Sequence, residues 1–317
     1  MLRKAVFAGS FYFEDASDLK RSIEDIFLSD LGLGYIPKLK NITKNSLNIQ
    51  NNDSNENNNN TENNDKNKLN NNSLINGNFK KINGAIIPHA GHIYSGPVAS
   101  YAYGKLVENG FPETFVIICP NHTGVAESPI SVFDTGEWET PLGNVLVDDE
   151  FAKNLIEMSE IINSDYLPHL REHSIEVHLP FLQYFSKDFK IVPIVINYQN
   201  KELIDILSVA IVETIKLTNR NVVVIGSSDF THYQSSFDAY SNDKLILDAI
   251  SNFDTDNIFS LVEKYNLSIC GYGSIAVTLN VSKFLGSKTF ELLKYGTSGD
   301  VSGDHSSVVA YMSGTFY

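Results

Sequence analysis

The sequence predicts an α/β fold, a single domain with a central, largely parallel sheet flanked by helices. Three observations carry this. Apolar, β-branched runs stand at "GAII" (84–87), "FVIIC" (115–119), "KIVPIVI" (190–196) and "NVVVIG" (221–226). Runs that are apolar throughout, rather than alternating, are what strands buried on both faces require. Stretches of helical pattern lie among them, and no internal repeat breaks the series, so the 317 residues read as one domain, 1–317.

Taken in chain order, "MLRKAVFAGSFYFEDASDLKR" opens with two basic residues and a short apolar patch. Gly9 and Ser10 break that patch and Glu14 and Asp15 follow, so no signal peptide is expected. Residues 41–80 contain 18 asparagines in 40 positions. The stretch "NIQNNDSNENNNNTENNDKNKLNNN" has almost no side chain to bury and cannot offset the entropy of ordering. A disordered insertion at about 41–80 is therefore expected within the domain, since loop closure grows only slowly in cost with length. Helices are predicted over 97–108, 149–162, 172–185, 201–217, 239–251, 255–265 and 273–285. Asp148 or Asp149 can cap the second, and Asp254 or Thr255 the sixth. "PISVFDTGEWETPLGNVLV" (129–147) reads as hairpin or irregular β structure turning at Gly136 and at Pro141-Leu142-Gly143. "FELLKYG" and "SVVAYMSGTFY" supply two more strands.

Composition narrows the function. A chain 42% hydrophobic and 20% charged is ordinary for a soluble globular protein. The net charge of −14 argues against a broad nucleic-acid surface, which needs clustered cations. No apolar run approaches the roughly 18–20 residues of a membrane span. With only Cys119 and Cys270 present, no disulfide framework supports the fold, and reduced thiols fit a cytoplasmic protein.

In open α/β sheets, ligands bind beyond the carboxyl ends of the strands. After "GAII" comes Pro88-His89; after "FVIIC" comes "PNHTG" with His122; after "VVVIG" comes "SSDFTHY" with Asp229 and His232. Three strands ending in histidine point to one shared pocket. Neutral imidazoles with a carboxylate or thiolate are metal-ligand chemistry. Cys270, just before the helix predicted from 273, has the setting of a lowered thiol pKa and a thiolate ligand. Cys119 lies inside an apolar strand and reads as a small core residue. Asp229 and His232, three apart in a turn, read either as further ligands or as an acid–base pair orienting the site. Tyr94 can donate into the pocket or pack as an aromatic. His173 or His178 in "REHSIEVHLPFLQYF" can serve as a proton relay or sit at a helix cap; the string lacks the HExxH spacing of a zinc protease. There is no G-x-S-x-G elbow, and no glycine fingerprint for a nucleotide.

The ordered set "RKAVFAGSFY", "IIPHAGHIYSG", "CPNHTG", "EHSIEVHLPFLQ", "GSSDFTHY" and "ICGYGSIAV" resembles the Memo family, which includes proteins labelled AmmeMemoRadiSam system protein B. The resemblance covers nearly the whole chain outside the asparagine-rich insertion. It implies a fold similar to the class III extradiol dioxygenases, and a metal held by two histidines and a cysteine, falling here on His89, His122 and Cys270. It also implies an Asp and a His nearby, on Asp229 and His232, with iron or copper as the metal and a redox role. The family label adds a functional link to a radical SAM system. This chain has His92 where many relatives have an aromatic residue, so His92 is expected to add a ligand or to change the pocket's polarity.

Two functions follow as expectations. One is a metal-dependent redox enzyme using iron or copper, with Asp229 and His232 moving protons or positioning a small substrate. The other is a binding module that reuses the pocket for a peptide or protein. A zinc hydrolase, with Asp229 or His232 as base, is a further alternative.

Overall fold

The apolar runs settle side by side. In the computed structural model, which describes residues 1–40 and 81–317, the chain begins with β1 (Leu2–Arg3), α1 (Ala16–Leu28), β2 (Gly84–Ile87), α2 (His92–Asn109) and β3 (Thr114–Pro120). The middle holds β4 (Ile130–Val132), β5 (Glu137–Thr140), β6 (Gly143–Val147), α3 (Asp149–Glu157), β7 (Ile162–Ser164), α4 (His173–Glu176), α5 (Leu179–Phe185) and β8 (Lys190–Ile196). Then come α6 (Lys201–Thr218), β9 (Val222–Ser227), β10 (His232–Gln234), α7 (Ser236–Ser251), α8 (Thr255–Tyr265) and α9 (Tyr272–Phe284). The chain closes with β11 (Phe290–Thr297), α10 (Gly299–Ser302) and β12 (Val308–Phe316). The asparagine-rich segment expected to be a disordered insertion, about 41–80, lies outside the described residues.

The strands form one mixed sheet in the order β1-β5-β6-β8-β3-β9-β2-β12-β10, with β11 on β12 and β4 and β7 joined through β8. Its centre, β6-β8-β3-β9-β2, is parallel throughout. Every residue of β2, β3 and β9 is buried, as expected of strands covered on both faces. The edges are mixed: β5 pairs antiparallel with β6 through a two-residue connection, β11 and β12 extend the sheet antiparallel beyond β2, and β1 and β7 add parallel to β5 and β4. A connection that short can only join antiparallel strands.

Helices flank the sheet in two groups. One comprises α6, α8 and α9, with α9 lying over β9 and β2; the other comprises α1, α2 and α5, with α2 against β12 and β11. The approach of α9 is close because β9 carries Gly226, where a Cβ would stand 2.5 Å from Thr278 Oγ1 and 2.8 Å from the Ser274 carbonyl.

Two predicted helices are shortened or broken, and one observed helix is not among those predicted. The helix predicted over 149–162 stops at Glu157, and residues 162–164 form β7, paired with β4. The helix predicted over 172–185 is broken into α4 and α5, preceded by a single 3-10 turn (Pro168–Arg171). Pro180, without an N–H, cannot continue a helix from Glu176 but can open a new one, while Glu172 stays extended and caps α4 through Ser174 N. Finally α1, unread in the sequence, carries its own signal: Asp15 accepts from Ser17 N and Asp18 N, and Leu19, Ile23 and Phe27 bury one stripe.

Candidate metal centre

Because β3, β9 and β2 are neighbours and parallel, their carboxyl ends open onto the same place. His122, Asp229 and His89 each stand two residues beyond the last residue of those strands, Pro120, Ser227 and Ile87. A third imidazole, His173, arrives from the first residue of α4. The ring centroids of His89, His122 and His173 are 5.1, 5.3 and 4.8 Å apart. One ligand nitrogen from each lies within 4.8 Å of the others, so the trio can hold a metal ion.

Buried oxygens stand behind the rings, hydrogen-bonded to His89 and His122 and in charge contact with His173. His89 Nδ1 lies 2.7 Å from Ser227 Oγ, His122 Nδ1 is 3.0 Å from Glu172 Oε1, and His173 Nδ1 is 3.3 Å from the same oxygen. The hydrogen bonds of His89 and His122 leave their Nε2 for the shared space, the arrangement by which outer partners fix a ligating imidazole. Glu172, fully buried, also accepts from His122 N at 2.7 Å, Ser174 N at 3.0 Å and Ser174 Oγ at 2.5 Å. Burial alone would raise its carboxyl, but the hydrogen bond and charge of His122, with His173 and Ser174, hold it at about 2. Reciprocally, burial opposes the charge on His122, but Glu172 outweighs it and lifts that pKa. Burial lowers His173 to about 4, with Glu172 opposing, and pushes His89 well below the usual range, helped by the neighbouring imidazoles. Near neutral pH, His89 and His173 are therefore in the neutral form that binds metal.

Cys270 precedes Gly271, the residue capping α9. Its Sγ is 3.1 Å from His89 Nε2 and accepts from Asp229 N at 3.3 Å. Gly271 permits this approach, since a Cβ there would be 2.5 Å from the Ser227 carbonyl. The lowered thiol pKa expected from the helix N-terminus is not found: burial, then the Asp229 carboxylate, push the thiol up. Desolvation outweighs a helix end whose N–H groups are aimed elsewhere; Gly271 N donates to Ser228 Oγ and Gly273 N to Gln199 Oε1.

Asp229 accepts from His89 N at 2.8 Å and from the Ala90 amide. Burial raises its carboxyl to about 7 against those donors. His232, half-exposed, has Nδ1 2.8 Å from the Ser268 carbonyl, and burial lowers its pKa. The two have different partners, yet His232 is close enough for its charge to bear on His89.

His92 turns away from the trio. It is the buried first residue of α2, with Nε2 2.8 Å from the Val177 carbonyl and its ring between Tyr12 and Phe181, at 5.3 and 4.5 Å. A ring so packed serves as an aromatic would, and the expected ligand role or change of pocket polarity finds no contact to support it. His178, also buried, bonds to Ser227 Oγ and Tyr103 OH. Cys119 is fully buried in the core, and both cysteines are free thiols. What sequence reasoning missed is the joint role of Glu172 and His173, since nothing local shows that residue 172 meets residue 122. The remaining wall comes from the first dozen residues. Phe11 and Phe7 pack on His173 with centroids 4.6 and 5.6 Å away, and the buried Arg3 pairs with Glu176.

The donor set, neutral imidazole nitrogens with a thiol alongside, fits a transition-metal ion. Among the described residues, no helix is long and apolar enough to cross a membrane. Residues 55–315 match the family model described as Memo-like protein. A MEMO1 family protein of Methanobrevibacter smithii is 42% identical over 316 residues, covering 100% of both chains. One from Methanothermobacter thermautotrophicus is 40% identical over 98% of this chain and 99% of its own, and one from Sulfolobus acidocaldarius is 39% identical over 100% and 99%. On the family match and on full-length identity of this order, the chain belongs to the Memo-like family.

Proposed function

We propose that this chain is a metal-dependent redox protein acting on a small molecule. Its ion would be held by His89, His122 and Cys270, with His173 on the same centre. The observation that carries this reading is the convergence of three imidazoles, two of them hydrogen-bonded through Nδ1 to a buried oxygen, beside a thiol 3.1 Å from one of them. Iron or copper is the metal the family resemblance favours, and zinc also suits mixed imidazole and sulfur donors. Such an ion would supply Lewis acidity and, if iron or copper, electron transfer.

The chain's own residues would do the rest. With a pKa of about 7, Asp229 can accept or return a proton near neutral pH. It is fixed by the amide of His89, so its carboxylate and that ligand move together. His232, with Nδ1 on a carbonyl, presents Nε2 as a second proton carrier nearer to solvent. Phe7 and Phe11 keep water from the His173 side. Free thiols are consistent with a cytoplasmic setting.

The test is elemental analysis of protein purified anaerobically without chelator. About one equivalent of metal is expected, and it should be lost in His89→Ala/His122→Ala. A metal-free wild-type protein that also fails to take up added iron, copper or zinc would sink the reading.

A second reading is favoured by one observation. The first turn of α2, the segment after β8, β10 and the start of α7 expose Tyr94, Tyr198, Tyr233 and Phe237, at 43, 62, 79 and 79%. Exposed aromatics suit a module that binds a peptide or protein without catalysis. Rim substitutions that abolish capture of a partner, with metal content and O₂ consumption unchanged, would support it.

A further inference from the structure

We propose that Ser227 is a positioning residue that fixes His89 as the Nδ1–H tautomer, so that the Nε2 lone pair faces the metal centre. The inference rests on the metal-binding reading above. Ser227, the last residue of β9, is fully buried, and its Oγ meets three groups: the Ser174 carbonyl at 2.7 Å, His89 Nδ1 at 2.7 Å and His178 Nε2 at 2.8 Å. A serine hydroxyl has one proton to give and two lone pairs. The Ser174 carbonyl can only accept, so the proton goes there. Were it turned toward either imidazole, two oxygens would face each other at 2.7 Å with no proton between them. Both imidazoles must then donate to Ser227, and His89 carries its proton on Nδ1.

Both ends of the chain agree. On the far side, His178 Nδ1 is left to accept from the buried Tyr103 hydroxyl at 2.6 Å. At the centre, Cys270 Sγ accepts from Asp229 N, and its own proton has His89 Nε2 at 3.1 Å as an acceptor nearer than the Asp229 carbonyl at 3.5 Å. The line Tyr103–His178–Ser227–His89 thus runs from α2 to the centre. Donors and acceptors match at each step only when Nε2 of His89 is bare.

The tautomer is directly measurable. In metal-free wild-type protein labelled with ¹⁵N-histidine, long-range ¹H–¹⁵N correlations should show His89 protonated on Nδ1 and bare on Nε2. Ser227→Ala should give a mixture of tautomers and weaken cobalt(II) binding, read against a chromophoric chelator, by about 10- to 100-fold. A wild-type His89 protonated on Nε2 overturns the proposal whether or not the variant folds. So does a folded Ser227→Ala protein with unchanged tautomer and cobalt affinity. A wild-type protein that binds no cobalt overturns the metal reading instead, and the tautomer spectrum still decides the assignment of His89.

Discussion

Glu172 holds His122 twice, accepting from its backbone N at 2.7 Å and from its Nδ1 at 3.0 Å. One carboxylate thereby fixes both the loop after β3 and the ring that the loop presents. Glu172→Gln keeps the size but loses the charge, and its amide has to turn N–H groups toward donors that now need acceptors. Metal affinity should fall about 10- to 100-fold, as for other partners that orient a ligand. Competition with a chelator measures it; an unchanged affinity would mean that Glu172 serves the fold alone.

Cys270 is protonated in the metal-free protein, because burial and Asp229 push its pKa up. Ligation would have to displace that proton. Cobalt-loaded wild-type protein is expected to show a thiolate-to-cobalt charge-transfer band that Cys270→Ser lacks. His173→Ala should keep the band while binding more weakly. If the wild-type spectrum has no such band, the centre is built of imidazoles without sulfur.

The buried pair of Arg3 and Glu176 ties the first residues of the chain to α4. Arg3 also donates to the carbonyls of His169 at 3.0 Å and Glu172 at 2.9 Å, and its guanidinium lies 4.4 Å from the Trp138 ring centre. Arg3→Met leaves an unpaired buried carboxylate and should cost about 3–5 kcal/mol. Arg3→Met with Glu176→Gln should cost less than the sum of the two single changes. Urea titration of the four proteins decides it, and additive losses would show that the pair is uncoupled.

Asp243 is buried and accepts from Thr231 Oγ1 at 2.7 Å and Tyr295 OH at 2.6 Å. Burial raises its carboxyl to about 6 against those donors. A folded pKa above the unfolded value means that the native state holds the proton more tightly. This group's contribution is complete below about pH 4 and is lost as pH rises through 6, on the order of 3 kcal/mol. Asp243→Asn should remove that slope, so that the stability difference between variant and wild type changes from pH 4 to pH 7. Parallel stability profiles in urea would refute the assignment.

Much of this architecture is legible along the chain. The runs "GAII", "FVIIC", "KIVPIVI" and "NVVVIG" become β2, β3, β8 and β9, because unbroken apolar character has no other stable place than a doubly covered sheet. The rule that ligands gather beyond strand ends then brings His89, His122 and Asp229 to one side from spacing alone. Periodicity reads less well where a single residue breaks it. Pro180 and the extended Glu172 divide what looks like one helix, and that division turns His173 toward the other two imidazoles.

By itself, then, the sequence determined the parallel centre of the sheet, the face that carries the site and the family to which the chain belongs. These depend on local periodicity and on motifs read in order. Only the tertiary structure decided that Glu172 reaches across 50 residues to His122, that Arg3 closes on Glu176, and that His92 packs as an aromatic. It also decided that Cys270 is protonated where a helix N-terminus predicted a thiolate. Strand order and desolvation set these outcomes, and both arise only once distant segments share an interior from which water is excluded.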